Sequence, residues 1–249
     1  MAVASAQVII ARDEAAFFRR AADLFVVATR KATRPSVALS GGSTPKKLFE
    51  HLAAPETRPQ VAWERVNFFW GDERCVPPES PESNFRMAQE ALLSKVPVTA
   101  DNVHRLRGEL APATAALEYE DVMARTLTDR PWPRLDLVLL GMGDDGHTAS
   151  LFPGTPALEE KKRWVVAQRV EKVNADRLTL TFPVINHGRR IVVMVSGANK
   201  AEVAAAVFSG AGKFPIERVS PVDGEMIWIF DAAAAQKLPA PVRSGATYI

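Results

Sequence analysis

Short apolar runs alternate with amphipathic stretches along most of the chain. Val8–Ile10 reads as a strand, and Asp13–Arg30 as a helix carrying Phe17, Ala21, Leu24, Phe25 and Ala28 along one side. Ser36–Leu39 is a buried-strand pattern. Thr44 followed by Pro45 predicts a helix start, with threonine as N-cap and proline at the first helical position, and Lys46–Leu52 continues that helix. Val66–Trp70 predicts a strand, and Asn84–Leu93 and Thr114–Leu127 predict helices. Leu135–Leu140 is apolar at every position but Asp136, close to what a central parallel strand requires. Arg177–Phe182, Ile191–Val195 and Met226–Phe230 are the remaining strands, with a helix over Asn199–Val207. The Pro- and Ala-rich tail from Leu238 onward reads as a loosely packed end. This alternation predicts an α/β fold, a mostly parallel sheet covered by helices on both faces, as one unit over residues 1–249.

Ligands of such sheets bind beyond the carboxyl ends of the strands. The polar, glycine-rich motifs all lie there, so segments far apart in sequence are expected to meet. Ser40-Gly41-Gly42-Ser43-Thr44 has the properties of an anion cradle. Gly41 and Gly42 permit close backbone approach, the following helix points free N–H groups at a ligand, and Ser43 and Thr44 add hydroxyls. A tight strand–helix turn fits the same residues. Neither the GxxxxGK[ST] nor the GxGxxG spacing is present, so a nucleotide is not indicated. Gly71-Asp72-Glu73-Arg74 follows a very apolar strand. Such charges are often plain solvated surface, but Arg74 could face a substrate oxyanion with Asp72 fixing it.

The sharpest feature is Gly143-Asp144-Asp145-Gly146-His147-Thr148. Of the four histidines, His51, His104 and His187 fall in structural settings, whereas His147 follows a central strand two residues after a carboxylate. A histidine so placed can shuttle protons near neutral pH with the carboxylate orienting it. Turn-forming aspartates with a histidine cap are the plain alternative. A metal site is another, although the spacing is not a usual zinc one. Lys200 opens a helix, where a cation is disfavoured by the dipole unless a bound anion shares the position.

Composition narrows the classes. With 249 residues, 47% hydrophobic and 24% charged, a sizeable core is expected. The net charge is only +2 and no long basic run occurs, so no nucleic-acid partner is expected, while a small anion suits the slight cationic excess. Cys75 is the single cysteine. That excludes an internal disulfide, argues against a cysteine-based zinc site, and fits a reducing, cytoplasmic setting. No apolar run is long enough for a bilayer, and the first residues do not read as a signal peptide. Cys75 has no evident activating base or helix N-terminus, so it reads as a bystander. Oligomeric state is left open.

Taken together, the segments Leu39-Ser40-Gly41-Gly42-Ser43-Thr44-Pro45, Trp70-Gly71-Asp72-Glu73-Arg74-Cys75-Val76-Pro77, Ser83-Asn84, Gly141 through Gly154, Arg177-Leu178-Thr179-Leu180-Thr181 and Gly197-Ala198-Asn199-Lys200 resemble the 6-phosphogluconolactonase family of the sugar-phosphate isomerase/deaminase superfamily. The resemblance implies a modified Rossmann-like sheet with a smaller attached α/β part. It also implies hydrolysis of 6-phospho-D-glucono-1,5-lactone, with no metal or organic cofactor. On that footing His147 is base and then acid, Asp145 supports it, and Arg74 faces the oxyanion. Asp72, Ser83 and Asn84 hold sugar hydroxyls or position Arg74. Ser43, Thr44 and the glycine loop, with Arg177 and Lys200, grip the phosphate. No Gly-x-Ser-x-Gly is present, so an acyl-enzyme is not suggested. The alternatives are a glucosamine-6-phosphate deaminase and a non-catalytic sugar-phosphate sensor. Against the first, Thr148 to Pro153 offers no acid where the deaminases carry one; against the second, no DNA-binding module is visible.

Overall fold

Six largely apolar strands form the body of one sheet because each can bury nearly all its side chains between helices, and a short exposed seventh pairs at its edge. The computed structural model describes residues 6–210 and 213–249. In chain order the elements are β1 (Gln7–Ala11), α1 (Glu14–Arg30), β2 (Ser36–Leu39), α2 (Ser43–Leu52), β3 (Asn67–Trp70), β4 (Asp72–Arg74), α3 (Asn84–Ala91) and α4 (Pro112–Thr126). They continue with β5 (Leu137–Gly141), β6 (Val165–Val170), β7 (Ala175–Leu180), α5 (Phe182–Asn186), β8 (Arg190–Val195), α6 (Ala201–Ser209), β9 (Glu225–Asp231), α7 (Ala232–Ala235), α8 (Ala240–Gly245) and β10 (Thr247–Tyr248). The seven-stranded sheet has the order β10-β1-β9-β8-β5-β2-β3, and every pairing in it is parallel. Its centre is fully buried: Val37, Ala38, Leu137, Val138, Ile191, Val192 and Val193 are all 0% exposed. That is the signature of strands covered on both faces.

Helix α1 buries Phe17, Ala21, Leu24, Phe25 and Ala28, and Asp13 caps it by accepting the Ala16 N–H at 2.7 Å. A second, three-stranded antiparallel sheet, β4-β7-β6, is attached beside β3, with α4 packed on β6 and β7. No helix among the described residues is long and apolar enough to cross a membrane.

Four sequence expectations change. The α2 N-cap is Gly42 at φ 105°, not Thr44; the helix begins at Ser43, and no side chain caps it. An L-residue is strained at that φ, so the turn is made by the glycine one step earlier than the Thr-Pro pair suggests. The residues after Gly71 form β4, so Asp72 to Arg74 lie on a strand. Strand β7 belongs to the small antiparallel sheet, paired with β6, which the apolar pattern does not reveal. The tail is structured although little of it is buried: Leu238 is 2% exposed, the residues beyond it are half-buried or exposed, and β10 pairs with β1 through Ile9↔Thr247 and Ile10↔Tyr248.

The joint between the sheets is closed by Tyr119, 2% exposed, whose hydroxyl accepts the Trp70 N–H at 2.8 Å. Tyr119→Phe strands that buried amide at the end of β3. It is expected to cost about 1–3 kcal/mol. Urea unfolding will show this as a lower midpoint at unchanged m-value; an unchanged midpoint would mean the amide finds another partner.

Candidate active site

β8, β5 and β2 are successive neighbours in the sheet, so the loops leaving their carboxyl ends open on one space. The small sheet walls that space with Asp72 and Arg74 from β4 and Arg177 from β7. The result is a cleft of about 520 Å³. Gly41, Gly42, Ser43, Thr44, Asp72, Arg74, Asn84, His147, Arg177 and Lys200 all line it. Asp145 and Ser83 do not: Asp145 sits behind His147, and Ser83 is buried behind β4.

His147 and Asp145 form the centre. Asp145 Oδ1 lies 2.5 Å from His147 Nδ1 and accepts the His147 backbone N–H at 3.1 Å. The imidazole lies on the Phe152 ring at a centroid distance of 3.9 Å. With one nitrogen held and one face covered, Nε2 is the atom left for chemistry. Gly143 makes the packing possible, because a Cβ there would come within 2.1 Å of His147 Nδ1. Burial works against ionisation of Asp145. The bonds from Lys172, from the His147 N–H and from the imidazole outweigh it and bring the carboxyl down to about 2. Lys172 Nζ lies 2.8 Å from both Asp145 Oδ2 and Asp144 Oδ1. Asp144, Asp145 and His147 place a ligand-type atom each within 4.8 Å of one another, but the charge a cation would bring there is already supplied by the Lys172 ammonium.

Arg74 and Arg177 face each other directly across the β4–β7 pair. Like charges in that position destabilise a sheet unless an anion lies between them. Burial first, then the Arg74 charge, pulls the Arg177 guanidinium below its ordinary value, and its buried Nε has no hydrogen-bond partner among the described residues. Arg74 Nη1 is turned toward the Glu82 carbonyl. Opposite, the uncapped start of α2 presents the N–H groups of its first turn beside Ser43 and Thr44. The cleft therefore carries cationic and N–H donors at separate points, fit for a ligand with more than one anionic or polar end.

Asp72 is pinned by Ser150 Oγ, which donates to Oδ2 at 2.6 Å, and by the Asn84 amide, which donates to the Asp72 carbonyl at 3.0 Å. Glu73 faces away from the cleft. Its carboxylate accepts the N–H groups of Arg74, Asn84 and Phe85 at 2.8, 2.7 and 2.8 Å, and the Ser83 hydroxyl at 3.1 Å. Burial raises its pKa, opposed by those same bonds. Glu73 is thus the anchor of the α3 N-terminus and places Asn84. Ser83 caps that helix by accepting the Arg86 N–H at 3.1 Å, so it acts through α3.

Cys75 is half-buried, and burial, followed by the Asp176 charge, pushes its thiol up to about 11, in keeping with a bystander. His104 stacks on Phe69 at 4.6 Å and bonds Asn67, and His187 stacks on Trp132, as structural histidines do. Sequence reasoning missed Lys172, Ser150 and Phe152 as members of the site. The last two lie inside the segment after His147, where their spacing alone carries no chemical signal.

A family model described as glucosamine-6-phosphate isomerases/6-phosphogluconolactonase matches residues 12–228. The 6-phosphogluconolactonase of Nostoc sp. is 39% identical over 236 residues, which covers 91% of this chain and 95% of that protein. The solved structure of 6-phosphogluconolactonase from Trypanosoma cruzi is similar at a TM-score of 0.83 and 29% identity, over 94% of this chain and 97% of that one. A monomeric glucosamine-6-phosphate deaminase matches at a TM-score of 0.80 over 93% of this chain and 99% of its own, but at 18% identity; that likeness is one of fold alone.

Proposed function

The chain belongs to the glucosamine-6-phosphate isomerase/6-phosphogluconolactonase family, and from that premise we propose that it hydrolyses 6-phospho-D-glucono-1,5-lactone to 6-phospho-D-gluconate, the second step of the oxidative pentose phosphate pathway. The observation that carries the reading is the His147–Asp145 pair, held at 2.5 Å at the edge of a cleft walled by paired arginines. The deaminase alternative needs an acid in the segment after His147. There Thr148 donates to the Gly141 carbonyl, Ser150 to Asp72, and Phe152 supports the ring.

A lactone is an activated ester, so its hydrolysis needs an activated water, a home for an oxyanion and a proton for the leaving oxygen. His147 Nε2 takes a proton from water as the water oxygen bonds to the lactone carbon. Asp145 stabilises the imidazolium that forms. The former carbonyl oxygen becomes an oxyanion facing Arg74. Collapse re-forms the carbonyl and breaks the bond to the ring oxygen, which takes the proton back from His147. Asp72 and Asn84 hold sugar hydroxyls. Ser43, Thr44 and the Gly41-Gly42 backbone, with Arg177 and Lys200, bind the phosphate. No step in this scheme uses a metal or an organic cofactor. The cytoplasm, where phosphorylated sugars are made, is the compartment this reading favours.

The assay compares lactone opening above its spontaneous rate with ammonia release from glucosamine 6-phosphate; activity in the second alone would overturn the reading. In the first, His147→Ala is expected to lower kcat by about two to four orders of magnitude with little change in KM. The wild-type rate is expected to fall toward acidic pH, as protonated imidazole cannot accept a proton from water. Near-normal turnover of His147→Ala, after subtraction of the spontaneous reaction, would make the histidine structural.

A second expectation concerns the phosphate. Each charge-assisted bond lost is worth about 1.5–3 kcal/mol, so unphosphorylated gluconolactone is expected to show kcat/KM lower by about tenfold or more. Equal turnover of the two lactones would remove the phosphate site from this part of the cleft.

A further inference from the structure

Asp145 has two oxygens, and both are occupied from different parts of the fold. Oδ1 holds the His147 ring at 2.5 Å and backbone N–H at 3.1 Å. Oδ2 is held by Lys172 Nζ at 2.8 Å. Lys172 does not come from the loop after β5. It lies in the turn Glu171–Val173 that joins β6 to β7, and it reaches the main sheet's loop from the small sheet. A carboxylate gripped at both oxygens cannot rotate without breaking one bond, so the angle at which Oδ1 meets the imidazole is set partly by the lysine. Lys172 also bonds Asp144 Oδ1 at 2.8 Å, which fixes the ammonium between two acids.

We infer that Lys172 is a positioning residue for the reaction: it grips the far oxygen of Asp145 from the small sheet and so holds Oδ1 in line with the His147 ring. The inference rests on the reading of His147 as the general base. Without the lysine the carboxylate is free to turn, and the ring it orients loses its fixed angle. The other charged groups bearing on the pair are Asp144 on the same loop and Lys200 from the turn after β8, with Asp72, Arg74 and Arg177 on the small sheet that walls the cleft. The Lys172 contact also heads the influences that hold the Asp144 carboxyl below its ordinary range. Lys172 lines the cleft and is about half exposed, with 48% of its side chain accessible, so its replacement leaves the core intact.

Lys172→Met, Lys172→Arg and His147→Ala are to be compared with the wild type in initial-rate assays across pH, with spontaneous opening subtracted. Lys172→Met is expected to lower kcat by about tenfold to a hundredfold, the scale of a small misplacement of a catalytic group, with KM little changed. Lys172→Arg, which keeps a cation in reach of both acids, is expected to recover most of the rate. Wild-type kcat in Lys172→Met, beside an inactive His147→Ala, would overturn the inference alone. A rise in KM with kcat unchanged would also overturn it, by making Lys172 a substrate contact. Activity in His147→Ala would instead bring down the base assignment itself.

Discussion

The bond between the Asp145 carboxylate and His147 Nδ1 sets the terms for everything around it. It decides which ring nitrogen carries the proton and which faces the cleft. A five-residue loop segment after β5 could not hold that bond alone. Gly143 leaves the volume the ring occupies, Phe152 covers one face, and the Gly143 N–H donates to the His147 carbonyl at 2.9 Å to close the turn. Beneath them β5 is a central strand paired on both sides, with Leu137 and Val138 0% exposed between β2 and β8. Rigid burial below and specific contacts above let a solvent-facing histidine keep one orientation.

The small sheet plays a different part. It adds cations to a cleft that the parallel sheet can supply only with loops and helix ends. β4 and β7 place Arg74 opposite Arg177, an arrangement that costs stability in an empty protein and suits a bound anion. Glu73, the most deeply placed acid of this region, steadies the arrangement from behind. Its carboxylate gathers three amide N–H groups from β4 and the start of α3, so Asn84 and the Arg74 backbone are held by one buried acceptor. A glutamate next to a catalytic cleft invites assignment as a base; here its lone pairs are already committed.

Much of this is legible in the sequence. The strands at the centre of the sheet announce themselves as mostly apolar runs, since few polar side chains are tolerated between two helical layers. The motifs after β2, β3, β5 and β8 follow from the rule that such sheets bind at their carboxyl ends. The illegible parts have physical causes. Strand β6 is partly exposed and carries Gln168 and Arg169, so it has neither a continuous run nor a clean alternation. Strand β10 spans only Thr247–Tyr248, too short for any period. The Thr44-Pro45 pair misplaces the start of α2 because a glycine at positive φ outranks a threonine cap, which only the backbone shows. Lys172 was invisible for the commonest reason: a lysine in a turn looks solvated until the loop it reaches is folded beside it.

The tautomer of His147 tests the account at its root. ¹⁵N chemical shifts of the imidazole, assigned against His147→Gln at a pH where the enzyme is active, report which nitrogen is protonated. The account predicts a neutral ring with its proton on Nδ1, donated to Asp145, and an unprotonated Nε2 turned to the cleft. A ring protonated at Nε2 alone, or a cation at that pH, would contradict it, because neither could accept a proton from water where the lactone binds.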